Sequence, residues 1–183
     1  MGDDRSERLE TRVTSLLVAL VSMLVVFPAH AERTPSPAVA LRAEIDAQHS
    51  GVDWVDTATL ATWMAGDERR PLVLLDVRER DEYAVSHLRG ARRVAPSATD
   101  MAALSIPRNA TIIVYCSVGY RSAAMAQRLE SAGYDRVFNL LGGIFQWANE
   151  GRPVYSGDRR VNLVHPYDRE WGQMLDERYR SPL

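Results

Sequence analysis

A chain of 183 residues, 46% of them hydrophobic and 25% charged, is long enough for one domain and apolar enough to bury a core. Wholesale disorder and long repeat arrays are excluded. The formal net charge of −2 offers no basic field for a polyphosphate backbone, so no nucleic-acid partner is expected.

The 22 basic residues are all arginine, and without lysine neither Schiff-base chemistry nor a P-loop lysine is available. The single cysteine, Cys116, cannot by itself form an intramolecular disulfide or a cysteine-based metal site. It is either a small buried hydrophobe or a reactive thiol. None of the 4 histidines stands at metal-ligand spacing from another, so no metal is expected.

Met1–Arg12 is polar with arginines at 5, 8 and 12, Val13–Phe27 is an apolar run, and Ala29-His30-Ala31 is a small-x-small pattern. This predicts a signal peptide over Met1–Ala31 and a periplasmic or secreted protein. Asp3, Asp4, Glu7 and Glu10 offset the arginines, and a retained anchor with the domain outside the cytoplasm is the alternative. At ~1.5 Å per residue the apolar run reaches about 23 Å, short of the ~30 Å hydrocarbon core. Residues 32–50 read as a lead-in, because Thr34-Pro35-Ser36-Pro37 favours neither helix nor sheet. An oxidising compartment would also consume an idle exposed thiol, which gives a retained Cys116 a chemical meaning.

The body, 51–155, alternates short apolar runs with helical patterns. Strands are predicted at Val52–Val55, Leu72–Val77, Ala91–Val94, Thr111–Tyr115 and Arg136–Leu141, the longer ones continuous enough to be buried on both faces. Helices are predicted at Thr57–Ala65, Asp81–His87, Ala98–Leu104, Arg121–Ala132 and Ile144–Asn149. Strands alternating with helices imply an α/β fold, an open parallel sheet of about five strands with helices on both faces. Ligands of such sheets bind beyond the carboxyl ends of the strands, and Cys116 falls at one of these ends.

The run Tyr115-Cys116-Ser117-Val118-Gly119-Tyr120-Arg121-Ser122 passes from strand to helix within a few residues. So tight a turn curls into a cradle of main-chain N–H groups, with Gly119 permitting a backbone angle that a side chain would obstruct. The following helix adds its unpaired N–H groups and positive dipole end. Arg121 can supply a permanent charge beside the thiol.

Several segments in order resemble a rhodanese domain: Leu74-Leu75-Asp76-Val77-Arg78-Glu79, Glu82-Tyr83, His87-Leu88-Arg89-Gly90-Ala91, the Cys116 loop, and Leu141-Gly142-Gly143-Ile144 with Trp147, Gly151 and Pro153. The resemblance implies a sulfurtransferase that takes a sulfane sulfur from a donor such as thiosulfate onto Cys116 and passes it to cyanide or a thiol. It makes Cys116 the nucleophile and Ser117, Val118, Gly119, Tyr120, Arg121 and Ser122 the substrate-binding loop, with no cofactor. A small sulfur-containing anion or a persulfide is the implied donor. Phosphatases of the same fold place five residues between cysteine and arginine; here there are four, Ser117 to Tyr120, and the smaller ring suits one transferred sulfur atom. The rival reading is a rhodanese-fold binding or sulfur-sensing module with little turnover.

Asp76 and Arg78 are expected to support the site, because an unpaired carboxylate at the end of a buried strand is costly. Arg78, Glu79 and Glu82 read as a surface or half-buried ion-pair set, and His87 as a structural corner. Tyr120 either stacks over the mouth or forms wall. Beyond the resemblance, 156–183 carries Trp171, Met174, Leu175 and Tyr179 at i, i+3, i+4 and i+8, which predicts an amphipathic helix. It either packs back on the domain or provides a protein-partner or dimer contact through 161–180.

Overall fold

A computed structural model describes residues 37–66 and 70–183. The predicted signal segment Met1–Ala31 lies outside the described residues. In chain order the elements are α1 (Pro37–Gln48), β1 (Trp54–Val55), α2 (Thr57–Ala65), β2 (Leu72–Asp76), α3 (Arg80–Val85), β3 (Arg92–Arg93), β4 (Thr111–Tyr115), α4 (Tyr120–Ser131), β5 (Val137–Leu140), α5 (Gly143–Asn149), β6 (Val154–Ser156) and β7 (Arg159–Val161).

β1 to β5 form one sheet in the order β1-β5-β4-β2-β3, and all four pairings are parallel. Central β4 is buried at all five positions, which is why its sequence is continuously apolar. Alternate side chains go to opposite faces. Leu75, Ile112 and Val114 pack with Ile45 of α1 and with Ala123, Met125 and Leu129 of α4, whereas Leu74, Ile113 and Tyr115 pack with Leu60 of α2 and Ile144 and Phe145 of α5. The five-stranded parallel sheet with helices on both faces is thus the architecture that the apolar runs predicted.

Three segments differ from expectation. Pro37–Gln48, read as part of a lead-in, is helical: a proline at the first helical position has no N–H to lose, and Ile45 is buried against the sheet and the Cys116 loop. Ala98–Leu104 shortens to a 3₁₀ turn at Ala102–Leu104. Asp100 Oδ1 accepts from the N–H groups of Ala102 and Ala103, and Ser105 ends the turn at φ 51°.

The predicted carboxyl-terminal helix is instead two 3₁₀ turns, Trp171–Met174 and Glu177–Tyr179, separated by an extended Leu175. Gly172 lies so close to Pro166 that a Cβ there would come 2.9 Å from the proline Cβ, and this packing fixes a tighter turn than an α-helix. The apolar side chains are satisfied all the same. Val164 and Leu175 are fully buried, Trp171, Met174 and Tyr179 pack beside them, and Asn149 of α5 bonds both the Met174 carbonyl and the Asp176 N–H at 2.8 Å. The extension therefore packs back on the domain.

Because α1 contributes a buried isoleucine rather than a tether, Ile45→Ala should lower unfolding stability by about 2–5 kcal/mol. Urea denaturation measures this, and a loss near zero would return the segment to the status of a lead-in.

Candidate active site

The site begins at the carboxyl end of β4, where the chain must turn into α4 within four residues. Gly119 caps α4 at φ 119°, and a Cβ there would press to 3.3 Å on Trp54 and 3.4 Å on Ile45. The turn is held from outside by its carbonyl groups. Ile144 and Phe145, at the start of α5, donate N–H groups to the Cys116 and Ser117 carbonyls at 3.0 and 3.1 Å, and Asn139 Nδ2 of β5 donates to the Gly119 carbonyl at 2.8 Å. In a trans peptide the N–H points opposite to the C=O, so these contacts turn the Ser117, Val118 and Tyr120 N–H groups the other way.

Cys116 is 1% exposed, with hydrocarbon on one side, including Ile45 and Ala123, and donors on the other. The Gly119 N–H donates to Sγ at 3.1 Å and the Ser122 hydroxyl at 3.5 Å. α4 directs its first unpaired N–H groups and positive end to the same place. The thiol lines a cavity of about 110 Å³ shared with Val118, Tyr120, Arg121, Tyr167 and Trp171.

Arg121 stands beside the thiol, as the sequence suggested, but its charge is shared with a buried carboxylate. Its guanidinium forks onto Glu82, Nη1 to Oε2 at 2.6 Å and Nη2 to Oε1 at 2.8 Å, and Nη2 also reaches the Ser117 hydroxyl at 3.0 Å. Ser117 Oγ donates to Glu82 Oε1 at 3.0 Å. Burial opposes the charge on both groups and is outweighed: Arg121, the Glu79 N–H and Arg78 hold the Glu82 carboxyl below the usual carboxylate range, and Glu82 together with Cys116 raises the Arg121 guanidinium. Glu82 is 2% exposed and pairs with Arg121, whereas Arg78 pairs with Asp76, so the expected surface or half-buried set of Arg78, Glu79 and Glu82 is corrected to two separate ion pairs. A Glu-Tyr pair in a short helix gives no sign of so distant a partner; only the fold brings α3 under the loop.

Arg78 is committed elsewhere. It is fully buried with Asp76, Nε to Oδ1 at 2.9 Å and Nη2 to Oδ2 at 2.6 Å, and Nη2 also donates to the Ser86 carbonyl at 2.5 Å. This pair braces the end of β2, where Asp76 stands in register with Tyr115, the residue before the cysteine. His87 stacks flat on Tyr83 with ring centroids 4.1 Å apart, and its backbone pairs with Tyr155, away from the cavity lining.

Tyr120 lies in the wall. Its hydroxyl donates to Glu44 of α1 at 2.9 Å and accepts from Gln48 at 2.8 Å, and its ring meets Trp171 edge-on. Asn139, Tyr167 and Trp171 carry no local signal as site residues and were missed, and Gly143 entered only with the Leu141-Gly142-Gly143-Ile144 segment of the resemblance. Gly143 is fixed by the loop: at φ 56° a Cβ would collide with the Cys116 carbonyl and come 2.6 Å from that of Ser117. Among the described residues no group of three or more His, Cys, Asp or Glu side chains is arranged to hold a metal ion.

Fold and site together define an α/β protein that delivers one thiol into a strand-to-helix loop of main-chain donors. The rhodanese-like domain family model matches residues 57–150, and the chain belongs to that family. It is 31% identical over 103 residues to a sulfurtransferase of Allochromatium vinosum, covering 56% of this chain and 94% of the relative. It is 29% identical over 80 residues to the thiosulfate sulfurtransferase GlpE of Coxiella burnetii, covering 44% and 75%.

It is also 32% identical over 96 residues to the probable adenylyltransferase/sulfurtransferase MoeZ of Mycobacterium tuberculosis; there the match covers 51% of this chain but only 24% of the relative. A rhodanese-related protein of Thermoplasma volcanium has a similar structure, with a TM-score of 0.50 at 26% identity, covering 57% of this chain and 98% of the other.

Two outcomes are expected of the loop's supports. Gly143→Ala should cost about 3 kcal/mol or more, since backbone strain and a backbone collision coincide, whereas Gly157→Ala, with open space around it, should cost about 1 kcal/mol. Denaturant titration compares them. Glu82→Gln should cost about 3 kcal/mol at neutral pH by leaving Arg121 half-paired. Because the folded Glu82 carboxyl titrates below its unfolded counterpart, that difference should hold above pH ~5 and shrink as the pH falls further. A difference independent of pH down to ~3 would contradict the ion pair.

Proposed function

We propose that this protein is a sulfurtransferase that carries a sulfane sulfur on Cys116. The carrying observation is the thiol itself, buried at a strand end yet facing a small cavity, with the Gly119 N–H at 3.1 Å and the Ser122 hydroxyl at 3.5 Å from Sγ. A thiolate there attacks the outer sulfur of thiosulfate. The Sγ–S bond forms as the S–S bond of the donor breaks, and sulfite departs with the electron pair. Cyanide or a thiolate then attacks the outer persulfide sulfur, and the Sγ–S electron pair returns to Cys116. Fixed amide dipoles hold the anionic sulfur in both states, and neither step calls on a cofactor.

Glu82 compensates Arg121 and the ion pair shapes the loop, while the donors around the sulfur are main-chain N–H groups, Ser122 and the Arg121 guanidinium, which lines the cavity beside Cys116. Asp76 and Arg78 act further out, by bracing the strand next to β4. The thiosulfate sulfurtransferase named among the relatives supports thiosulfate as a donor. The pattern of Met1–Ala31 supports export, with sulfur handled in the periplasm or outside the cell.

Incubation with thiosulfate should add one sulfur, about 32 Da, to the intact protein, and Cys116→Ser should abolish the adduct. An unchanged mass with an intact ligand-binding cavity would favour a binding module instead. Protein recovered from its native host should begin at Glu32; a chain that begins at Met1 would overturn export with cleavage.

A further inference from the structure

The cavity over Cys116 is completed by a part of the chain outside the family match. The matched region ends at residue 150, whereas Tyr167 and Trp171 come from the carboxyl-terminal segment. That segment is anchored: Leu175 and Val164 are buried in the core, Asn149 bonds it at two points, and Trp171 N–H is tied to Asp168 Oδ1 at 2.8 Å. Its two aromatic rings close on the loop. Tyr167 covers the Arg121 guanidinium, 4.7 Å from its ring centroid, and Trp171 meets Tyr120, with 6.1 Å between centroids.

Tyr167 stands at φ 67°, a left-handed conformation that a bulky side chain adopts at a cost. The Tyr167 N–H bonded to His165 Nδ1 at 3.0 Å, and the ring on Arg121, hold it there. Strain of this kind persists where surrounding contacts over-determine it, and here it places a ring at the cavity's edge even though the residue remains 45% exposed.

We propose that Tyr167 and Trp171 are specificity-determining residues, an aromatic wall that limits the Cys116 sulfur to partners of a few heavy atoms. The inference rests on the sulfur-transfer reading for its substrates, but its physical basis is size. The cavity measures about 110 Å³, less than the ~150 Å³ that accommodates benzene. Thiosulfate, cyanide, sulfite and hydrosulfide fit within such a space. A tripeptide thiol or a cysteine on another folded protein must bring its sulfur past the Tyr167 and Trp171 rings to a Cys116 that is 1% exposed, so transfer to them is slow for want of approach to the outer sulfur. In each permitted transfer the small nucleophile forms a bond to that sulfur, and the Sγ–S pair returns to Cys116.

The test uses the full chain and the variants Tyr167→Gly and Trp171→Ala. Tyr167→Gly is the safer probe, because glycine accepts the left-handed backbone without strain. The first readout needs no catalysis: Cys116 should be alkylated by iodoacetamide far faster than by fluorescein maleimide, and either variant should narrow that ratio by about tenfold or more. The second is the ratio of sulfur transfer to cyanide over transfer to glutathione after loading with thiosulfate, which should fall by a similar factor.

Ratios equal in wild type and both variants would overturn the wall. A narrowed alkylation ratio without any persulfide would instead uphold the size filter and overturn the sulfur-transfer reading. Unfolding of Trp171→Ala leaves Tyr167→Gly to decide.

Discussion

Ile144 and Phe145 donate to the carbonyls of Cys116 and Ser117, and Asn139 donates to that of Gly119, so the loop's acceptors are turned outward. The polarity of the whole site depends on this constraint. With the carbonyls tied to α5 and β5, the planar peptide leaves N–H groups on the inner side, and the cysteine sulfur meets donors where it would otherwise meet lone pairs. Gly143 has no side chain because α5 must approach the loop backbone closely enough to make those bonds. A loop that is mechanically fixed from behind can present its dipoles without reorganising as charge moves through the sulfur.

The formal charges serve the same end. Arg121 neutralises Glu82 below the loop and clamps Ser117 between them, and Arg78 neutralises Asp76 one strand away. Buried pairs of this kind contribute less to net stability than to fixing geometry, because the desolvation of each ion offsets much of their attraction. The cavity is therefore built from oriented dipoles and aromatic faces, with the nearest guanidinium already balanced. The carboxyl-terminal segment, bonded to α5 through Asn149 and seated by Leu175, supplies two of those aromatic faces. The helix that anchors the loop thus also anchors the wall opposite it.

Much of this was legible in the chain. The continuous apolar runs at Leu72–Val77 and Thr111–Tyr115 announced parallel strands buried on both faces, observed at Leu72–Asp76 and Thr111–Tyr115, and the helix predicted at Thr57–Ala65 has the bounds observed. Gly119 between Cys116 and Arg121 announced the tight turn. Where reading failed, the deciding contacts were remote. Pro35 and Pro37 suggested an unstructured lead-in, but a proline is harmless at a helix start and Ile45 had a place in the core. The spacing of Trp171, Met174, Leu175 and Tyr179 suits a helix, but close packing of Gly172 on Pro166 favoured 3₁₀ turns that bury Leu175 and pack the other three beside it.

The order of strands and helices, the position of the only thiol at a strand end and the length of its loop follow from the sequence by itself, because periodicity, turn chemistry and spacing act over a few residues. Tertiary structure alone decided that Arg121 belongs to Glu82, that Asn139 and α5 set the direction of the loop's peptides, and that Tyr167 and Trp171 face the thiol. Those partners are separated by tens of residues, and no local rule specifies which distant side chain a charge or a carbonyl will meet; packing of the sheet and its helices does.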